Sequence, residues 1–248
     1  MLSVLVMAFL SMGFPAYAAD ASPEAKANIP FIIEKADGTP AVENDDYTVN
    51  GIVIDFNKSG QYKIIGDGQE VTDKASFHVG NDFEGEITLK DVKVNLNGIR
   101  SAFKVESDAK LTLWLEGDNS LRGGDYCAAI EFMNASSGYL IIDAVNADAP
   151  LWVQGWNGAA IGGAAEKPGE GDEVVRNVSN IEIRGRNITA ASMVRDGTAI
   201  GVVGNSSIFS TTKPTLSNLV ISGGTITTDC NETESVTLVP VKADISKA

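Results

Sequence analysis

From Tyr47 to Thr228, apolar and polar residues alternate in short runs separated by Gly, Asn and Asp. Alternation with a period of two places one set of side chains on each face of an extended strand, so this stretch predicts a succession of short β-strands. Ser76-Phe77-His78-Val79, Ala102-Phe103-Lys104-Val105 and Leu111-Thr112-Leu113 are examples. No segment after residue 18 carries the periodicity of an amphipathic helix.

The runs recur. Val178-Ser179-Asn180-Ile181-Glu182-Ile183-Arg184-Gly185-Arg186-Asn187-Ile188-Thr189 matches Leu216-Ser217-Asn218-Leu219-Val220-Ile221-Ser222-Gly223-Gly224-Thr225-Ile226-Thr227 in register. Each copy follows a second matched piece, Ala160-Ile161-Gly162 and Ala199-Ile200-Gly201, 39 residues apart. Weaker copies extend back through Ile130 and Phe103 to Phe77, with a spacing of 26 residues between Phe77 and Phe103. Repeats of roughly 25 to 40 residues built only from strands, about three per copy and without a blade motif, point to a parallel β-helix rather than a propeller. The expected architecture is all-β: a single-stranded, right-handed parallel β-helix, a solenoid of about six coils.

Stacked coils turn equivalent residues into columns about 4.8 Å apart. Phe77, Phe103, Ile130, Ile161 and Ile200 form one inward column, and Leu89, Leu113, Ile142, Ile183 and Ile221 another. Ser76, Ala102, Ala129, Ala160 and Ala199 form a column of small residues suited to a tight corner. Along the chain, residues 1–18 read as a signal peptide, with an apolar run and Ala16-Tyr17-Ala18 as cleavage site, although a basic n-region is missing. Residues 19–46 read as a linker or N-terminal cap, 47–228 as the repeat region, and 229–248 as a C-terminal coil or cap.

Ala160-Ile161-Gly162-Gly163, followed by Asn-Ile-x-Ile-x-Gly and Ile-Thr-Ala, resembles the repeats of secreted right-handed β-helix proteins of Gram-positive, clostridia-type bacteria. These are carbohydrate-binding domain proteins within the wider pectate-lyase-like superfamily. The resemblance spans about residues 47–228, and Gly201-Val202-Val203-Gly204 departs from the glycine-richer common form. It implies a secreted or cell-surface protein facing a polysaccharide, with Ca²⁺ as a candidate cofactor.

Charge narrows the partners. Thirty-three acidic against 19 basic residues give a net charge of −14, which would repel a polyanion, so nucleic acid is excluded as the expected partner. No transmembrane segment is expected, because the one long apolar run is short and ends in a cleavage site. Two cysteines, Cys127 and Cys230, are too few for a disulfide scaffold, and stacking alone should separate them by about 10 Å, beyond disulfide reach. Both are expected as free thiols.

Candidate chemistry is sparse. His78 is the single histidine and stands outward on its strand, which removes support for a Ser-His-Asp triad or a histidine-rich zinc site. Asp45-Asp46 reads as a solvated turn before Tyr47. The outward column Lys90, Trp114, Asp143, Arg184, Ser222 is more informative, since an indole between charged groups can stack on a sugar ring while its neighbours bond the hydroxyls. Trp152, with Trp156 in the next turn, would extend this ligand-binding platform. The insertions Gly163–Asn177 and Val203–Thr215 should stack into one rim, where Glu170, Asp172 and Glu173, with Glu166, are candidate Ca²⁺ ligands. The expected function is non-catalytic carbohydrate binding or adhesion. Two other readings stay open: a polysaccharide lyase or glycoside hydrolase acting on pectin-like glycans, and a structural surface stalk.

Overall fold

The computed structural model describes residues 29–146, 149–165, 167, 176–184, 187–193, 198–203, 214–230, 233–238 and 243–244, with side chains up to residue 228. The signal segment 1–18 and most of both long insertions lie outside the described residues. So do Glu166, Glu170, Asp172 and Glu173, and the side chain of Cys230.

Two strands, β1 (Ile32–Lys35) and β2 (Thr48–Asn50), lead into a path that the chain repeats six times. The first round is β3 (Val53–Phe56), β4 (Gln61–Ile65) and β5 (Glu70–Thr72), and the second is β6 (Ser76–Val79), β7 (Glu84–Lys90) and β8 (Lys93–Asn95). The third is β9 (Phe103–Val105), β10 (Lys110–Glu116) and β11 (Asn119–Arg122), followed by β12 (Ile130–Phe132), β13 (Tyr139–Ala144) and β14 (Pro150–Gly155). The fifth is β15 (Ile161–Gly162), β16 (Val178–Ile183) and β17 (Asn187–Ser192), and the sixth is β18 (Ile200–Gly201), β19 (Leu216–Ile221) and β20 (Thr225–Cys230). Then come β21 (Thr233–Leu238) and β22 (Ala243–Asp244).

First strands of successive rounds pair as sheet I, in the order β2-β3-β6-β9-β12-β15-β18. Second strands form sheet II, β1-β4-β7-β10-β13-β16-β19-β22, and third strands sheet III, β5-β8-β11-β14-β17-β20-β21. Every pairing between rounds is parallel. Antiparallel strands close the ends: β1 on β4 and β2 on β3 at the start, β21 on β20 and β22 on β19 at the finish. Sheet II is therefore covered at both ends, whereas β5 and β18 remain as edges. Each edge strand is only three or two residues long, which limits its use as a pairing template. The all-β expectation holds, with no helix among the described residues.

The inward column on sheet I has the expected register, from Phe77 through Phe103, Ile130 and Ile161 to Ile200, and Ile54 extends it by one round. Its aromatic part continues under the cap, with ring centroids of Phe31 and Phe77 5.3 Å apart and those of Phe77 and Phe103 5.7 Å apart. The small-residue column from Ser76 to Ala199 is buried throughout, as a tight corner needs. On sheet II, Leu113, Ile142, Ile183 and Ile221 align as expected. Leu89 does not: it faces Leu115, and Ile87 stands opposite Leu113. A one-residue slip would turn a strand inside out, but a two-residue slip keeps every side chain on its own face, so the hydrophobic pattern cannot detect it.

The repeated motifs have local causes. Gly162 and Gly201 hold φ of +130° and +128°, and a Cβ on Gly162 would lie 2.2 Å from the Gly201 carbonyl oxygen. Only glycine fits there, which explains the recurrent Ala-Ile-Gly. In the recurrent Ser-Asn, Asn180 and Asn218 adopt left-handed backbones with φ of +57° and +51°, a conformation asparagine tolerates. Their carboxamides form a ladder: Asn218 Nδ2 donates to Asn180 Oδ1 at 2.9 Å, and Asn180 Nδ2 donates to the Gly138 carbonyl at 3.1 Å.

Candidate functional site

Sheet II has the longest strands, and its outward side chains form a grid. One outward column runs Lys63, Thr88, Trp114, Asp143, and the Arg184 amide bonds the Ile142 carbonyl at 2.8 Å, which continues the column to Arg184. Trp114, Asp143 and Arg184 are thus brought together in consecutive rounds. Lys90 is not part of this column. It lies opposite Glu116 because of the two-residue offset, and Thr88 takes the place expected for it.

Most charges on this face are paired with neighbours. Glu116 takes the ammonium groups of Lys63 at 2.6 Å and Lys90 at 2.8 Å, and these hydrogen bonds hold its carboxyl below the usual range. Lys110 pairs with Glu84 at 3.1 Å. Arg184 grips Glu182 with two bonds of 2.7 Å, which raises the guanidinium's pKa and lowers that of Glu182. The guanidinium fork is therefore occupied from within the chain. Asp143 accepts from the Ala144 amide at 2.8 Å. Trp114 is half-buried, and its indole nitrogen donates to Glu86 Oε2 at 3.0 Å, so the ring is fixed rather than free to swing.

Beside Trp114 lies a depression of about 310 Å³, walled by the turn after β1 and floored by Gln61, Lys63, Glu86 and Thr88. These four are outward residues of β4 and β7, which alternation marks as exposed polar positions but which a column begun at Lys90 passes over. An amide, an ammonium group, a carboxylate and a hydroxyl converge there next to an indole. That set both donates and accepts hydrogen bonds, as a polyhydroxylated ligand requires.

Trp152 stands elsewhere. It lies on sheet III between Ser120 and Thr189, 36% exposed, and does not extend the Trp114 face. Trp156 is covered by Arg122, whose guanidinium carbon sits 4.9 Å from the ring centroid. Alternation fixes which way a side chain points from its strand, not which sheet of the stack that strand joins.

Two polar groups differ from expectation. Asp46 is buried rather than solvated: it accepts the Val42 amide at 2.9 Å, and Lys35 and Lys58 approach it at 3.1 and 3.4 Å. The amide bond first, and then the two lysines, hold its carboxyl low. His78 is outward on sheet I, yet both ring nitrogens face carboxylates of the adjoining rounds, Nδ1 to Asp55 at 2.5 Å and Nε2 to Glu106 at 2.8 Å. Burial pushes the Glu106 carboxyl up, but hydrogen bonds from Lys104 and His78 outweigh it and leave it below the usual range. Cys127 is a buried free thiol, pushed up to about 11 by burial and by the charge of Glu131.

Among the described residues no three metal-ligating side chains cluster, and no helix is long and apolar enough to cross a membrane. No family model matches this chain, and neither the curated proteins nor the solved structures include one similar to it. The resemblance to clostridial β-helix proteins therefore rests on the repeat motifs alone.

Proposed function

We propose that the chain is a right-handed, single-stranded parallel β-helix of six coils that binds a neutral polysaccharide along the outward face of sheet II, without catalysis, at a cell surface or after secretion. The cyclic order of strands through three sheets supports the solenoid, and parallel crossovers are right-handed in about 98% of cases. The observation that carries the functional reading is the depression where Gln61, Lys63, Glu86 and Thr88 meet beside the fixed indole of Trp114. Strands about 4.8 Å apart repeat on the scale of one sugar ring, so an extended glycan would meet equivalent positions in successive rounds.

The engagement of several acids supports binding rather than turnover. A general acid or base must offer an oxygen or nitrogen to the substrate. On this face Glu86 holds Trp114, Glu116 holds two lysines and Glu182 holds Arg184, while on sheet I His78 has both nitrogens engaged. With the Arg184 fork taken by Glu182, a uronate carboxylate gains little, which favours neutral glycans over acidic ones.

The test is calorimetric titration of neutral and acidic oligosaccharides, with and without Ca²⁺, alongside assays for reducing ends and for unsaturated products. Trp114→Ala should weaken binding about five- to hundredfold, equivalent to about 1 to 3 kcal/mol for loss of a large apolar contact. Its melting temperature should change little. Equal affinity in the variant, or product release by the wild type, would refute the reading. A Ca²⁺ requirement would direct attention to Glu170, Asp172 and Glu173.

A further inference from the structure

The depression beside Trp114 is built differently at its two ends. On the Trp114 side its lining stops at Glu86 and Thr88 of β7, and the outward column continues from there through Trp114 to Asp143. On the other side it meets β1, the terminal strand of sheet II, and the turn that follows. That turn is held by its own hydrogen bonds. The Gly38 amide donates to the Lys35 carbonyl at 2.9 Å, and the Lys35 amide to the Thr39 carbonyl at 2.9 Å. Asp37 Oδ1 accepts the Thr39 amide at 2.9 Å and the Thr39 hydroxyl at 2.6 Å. The Ala36 amide ties the turn to the Gln61 carbonyl at 3.0 Å. Ala36 and Gly38 thus form a fixed wall at one end only.

The polar groups around the depression are unequally committed. Lys35 is bonded to Asp46, Lys63 to Glu116 and Glu86 to the Trp114 indole. The Glu34 carboxylate, the Gln61 carboxamide and the Thr88 hydroxyl line the same space and bond no other group among the described residues. Glu34 is not short of counter-charge, since its field reaches Lys90. What it lacks is hydrogen-bond donors, because an ionised carboxylate only accepts. It stands on the walled side, opposite Lys63 in the register of β1 and β4. A sugar inside a glycan gives up a hydroxyl at each linkage, whereas the last sugar of the chain keeps one more. Hydroxyls bond carboxylates through short, charge-assisted hydrogen bonds. A free acceptor beside a wall therefore suits a chain end, and a chain passing straight through would run into the turn.

We propose that the depression receives the terminal sugar of a neutral glycan, with its hydroxyls on Glu34 and Gln61 and the rest of the chain leaving over Thr88 and Trp114 toward Asp143. This rests on the glycan-binding reading of sheet II and gives it a direction: the protein recognises chain ends rather than repeat units. The volume of about 310 Å³, small for a ligand pocket, suits a short terminal portion. Glu34 is a binding group here and not half of a hydrolytic pair, because Glu86, the other carboxylate lining the depression, holds the indole.

The probes are cellohexaose, xylohexaose, mannohexaose and maltohexaose, with xylan, mannan and amylose fractions of increasing length, titrated calorimetrically into the full chain. At least one hexaose should bind, and the number of protein molecules bound per polymer chain should stay constant as the polymer lengthens. Glu34→Gln keeps the shape but removes the charged acceptor, and should weaken binding of that hexaose about tenfold. Gln61→Ala should weaken it less, and neither change should move the melting temperature. End binding is overturned, with glycan binding left standing, if the number bound rises in proportion to polymer length or if Glu34→Gln binds as tightly as the wild type. If no hexaose or polymer gives heat, glycan binding itself fails and end binding with it.

Discussion

The outward faces of sheets I and II are made from the same repeating backbone, yet they treat charge in opposite ways. On sheet II, Glu84, Glu116 and Glu182 each meet a lysine or arginine within two rounds or two residues along, and all three remain in reach of water. On sheet I, Glu131 is enclosed and bonded by the Ser101 hydroxyl, in a cleft also lined by Lys104, Lys167 and Arg100. Exposed pairs contribute little to stability. An enclosed charge is costly unless donors and cations reach it, so its neighbours matter more to the fold.

The comparison requires both faces to stand on one core, and the largest expected effect tests this. Ile183 is fully buried between Ile142 and Ile221, so Ile183→Asp puts an uncompensated charge into the common interior and should abolish folding, as read by circular dichroism. A folded variant of native stability would mean that the register is wrong.

Acid should act next. Asp46 and Glu106 carry carboxyls held below their usual range. A carboxyl that is lower in the folded chain stabilises the fold above its unfolded value of about 4 and ceases to do so as pH falls through the folded value. Melting temperature should therefore be level above about pH 5 and decline below about pH 4, and Asp46→Asn should make that decline shallower. A decline beginning at neutral pH would contradict the assignment.

Smaller effects separate the faces directly. Glu131→Gln removes an enclosed charge that sits with Ser101, Lys104 and Lys167, and should lower the melting temperature by roughly 4 to 8 °C, corresponding to about 2 kcal/mol for a chain of this size. Glu182→Ala, on the other face, breaks an exposed pair and should cost less than about 1 kcal/mol. If Glu182→Ala cost as much as Glu131→Gln in thermal melts, the distinction between the faces would disappear. The smallest signal concerns Cys127. With its pKa pushed up to about 11, it should not react with a disulfide reagent at pH 8 until the chain is unfolded.

What could be read from the sequence follows from how each feature is encoded. The inward column from Phe77 to Ile200 and the small-residue corner were legible because each round of strands repeats them, and an error at one position is corrected by its neighbours. Trp114, Asp143 and Arg184 were placed together for the same reason. Lys90 was misplaced because β7 and β10 are seven-residue strands whose alternation is unchanged by a slip of two. Glu131 was passed over because Ile130-Glu131-Phe132 reads as an outward acid, and outward normally means wet. Its burial comes from Ile99 to Ser101 of the preceding round, a contact about 30 residues away that no local pattern contains. The signal was present in the sheet I alignment, where Asp55, His78, Lys104 and Glu131 share one column of titratable groups.

The asparagine ladder has an evolutionary side. A carboxamide gives one hydrogen bond and takes another, so Asn218 satisfies Asn180 in the way that Asn180 satisfies the Gly138 carbonyl. A duplicated unit of 38 residues, the spacing from Asn180 to Asn218, would arrive with its own link to the unit before it and would present the same acceptor to the unit after it. Genetic change by whole units thus leaves the hydrogen bonding of every unit intact, whereas loss of a few residues would put the kinked asparagines out of line. The length of the molecule becomes a heritable quantity, adjustable in steps of about 4.8 Å without redesign of the ends.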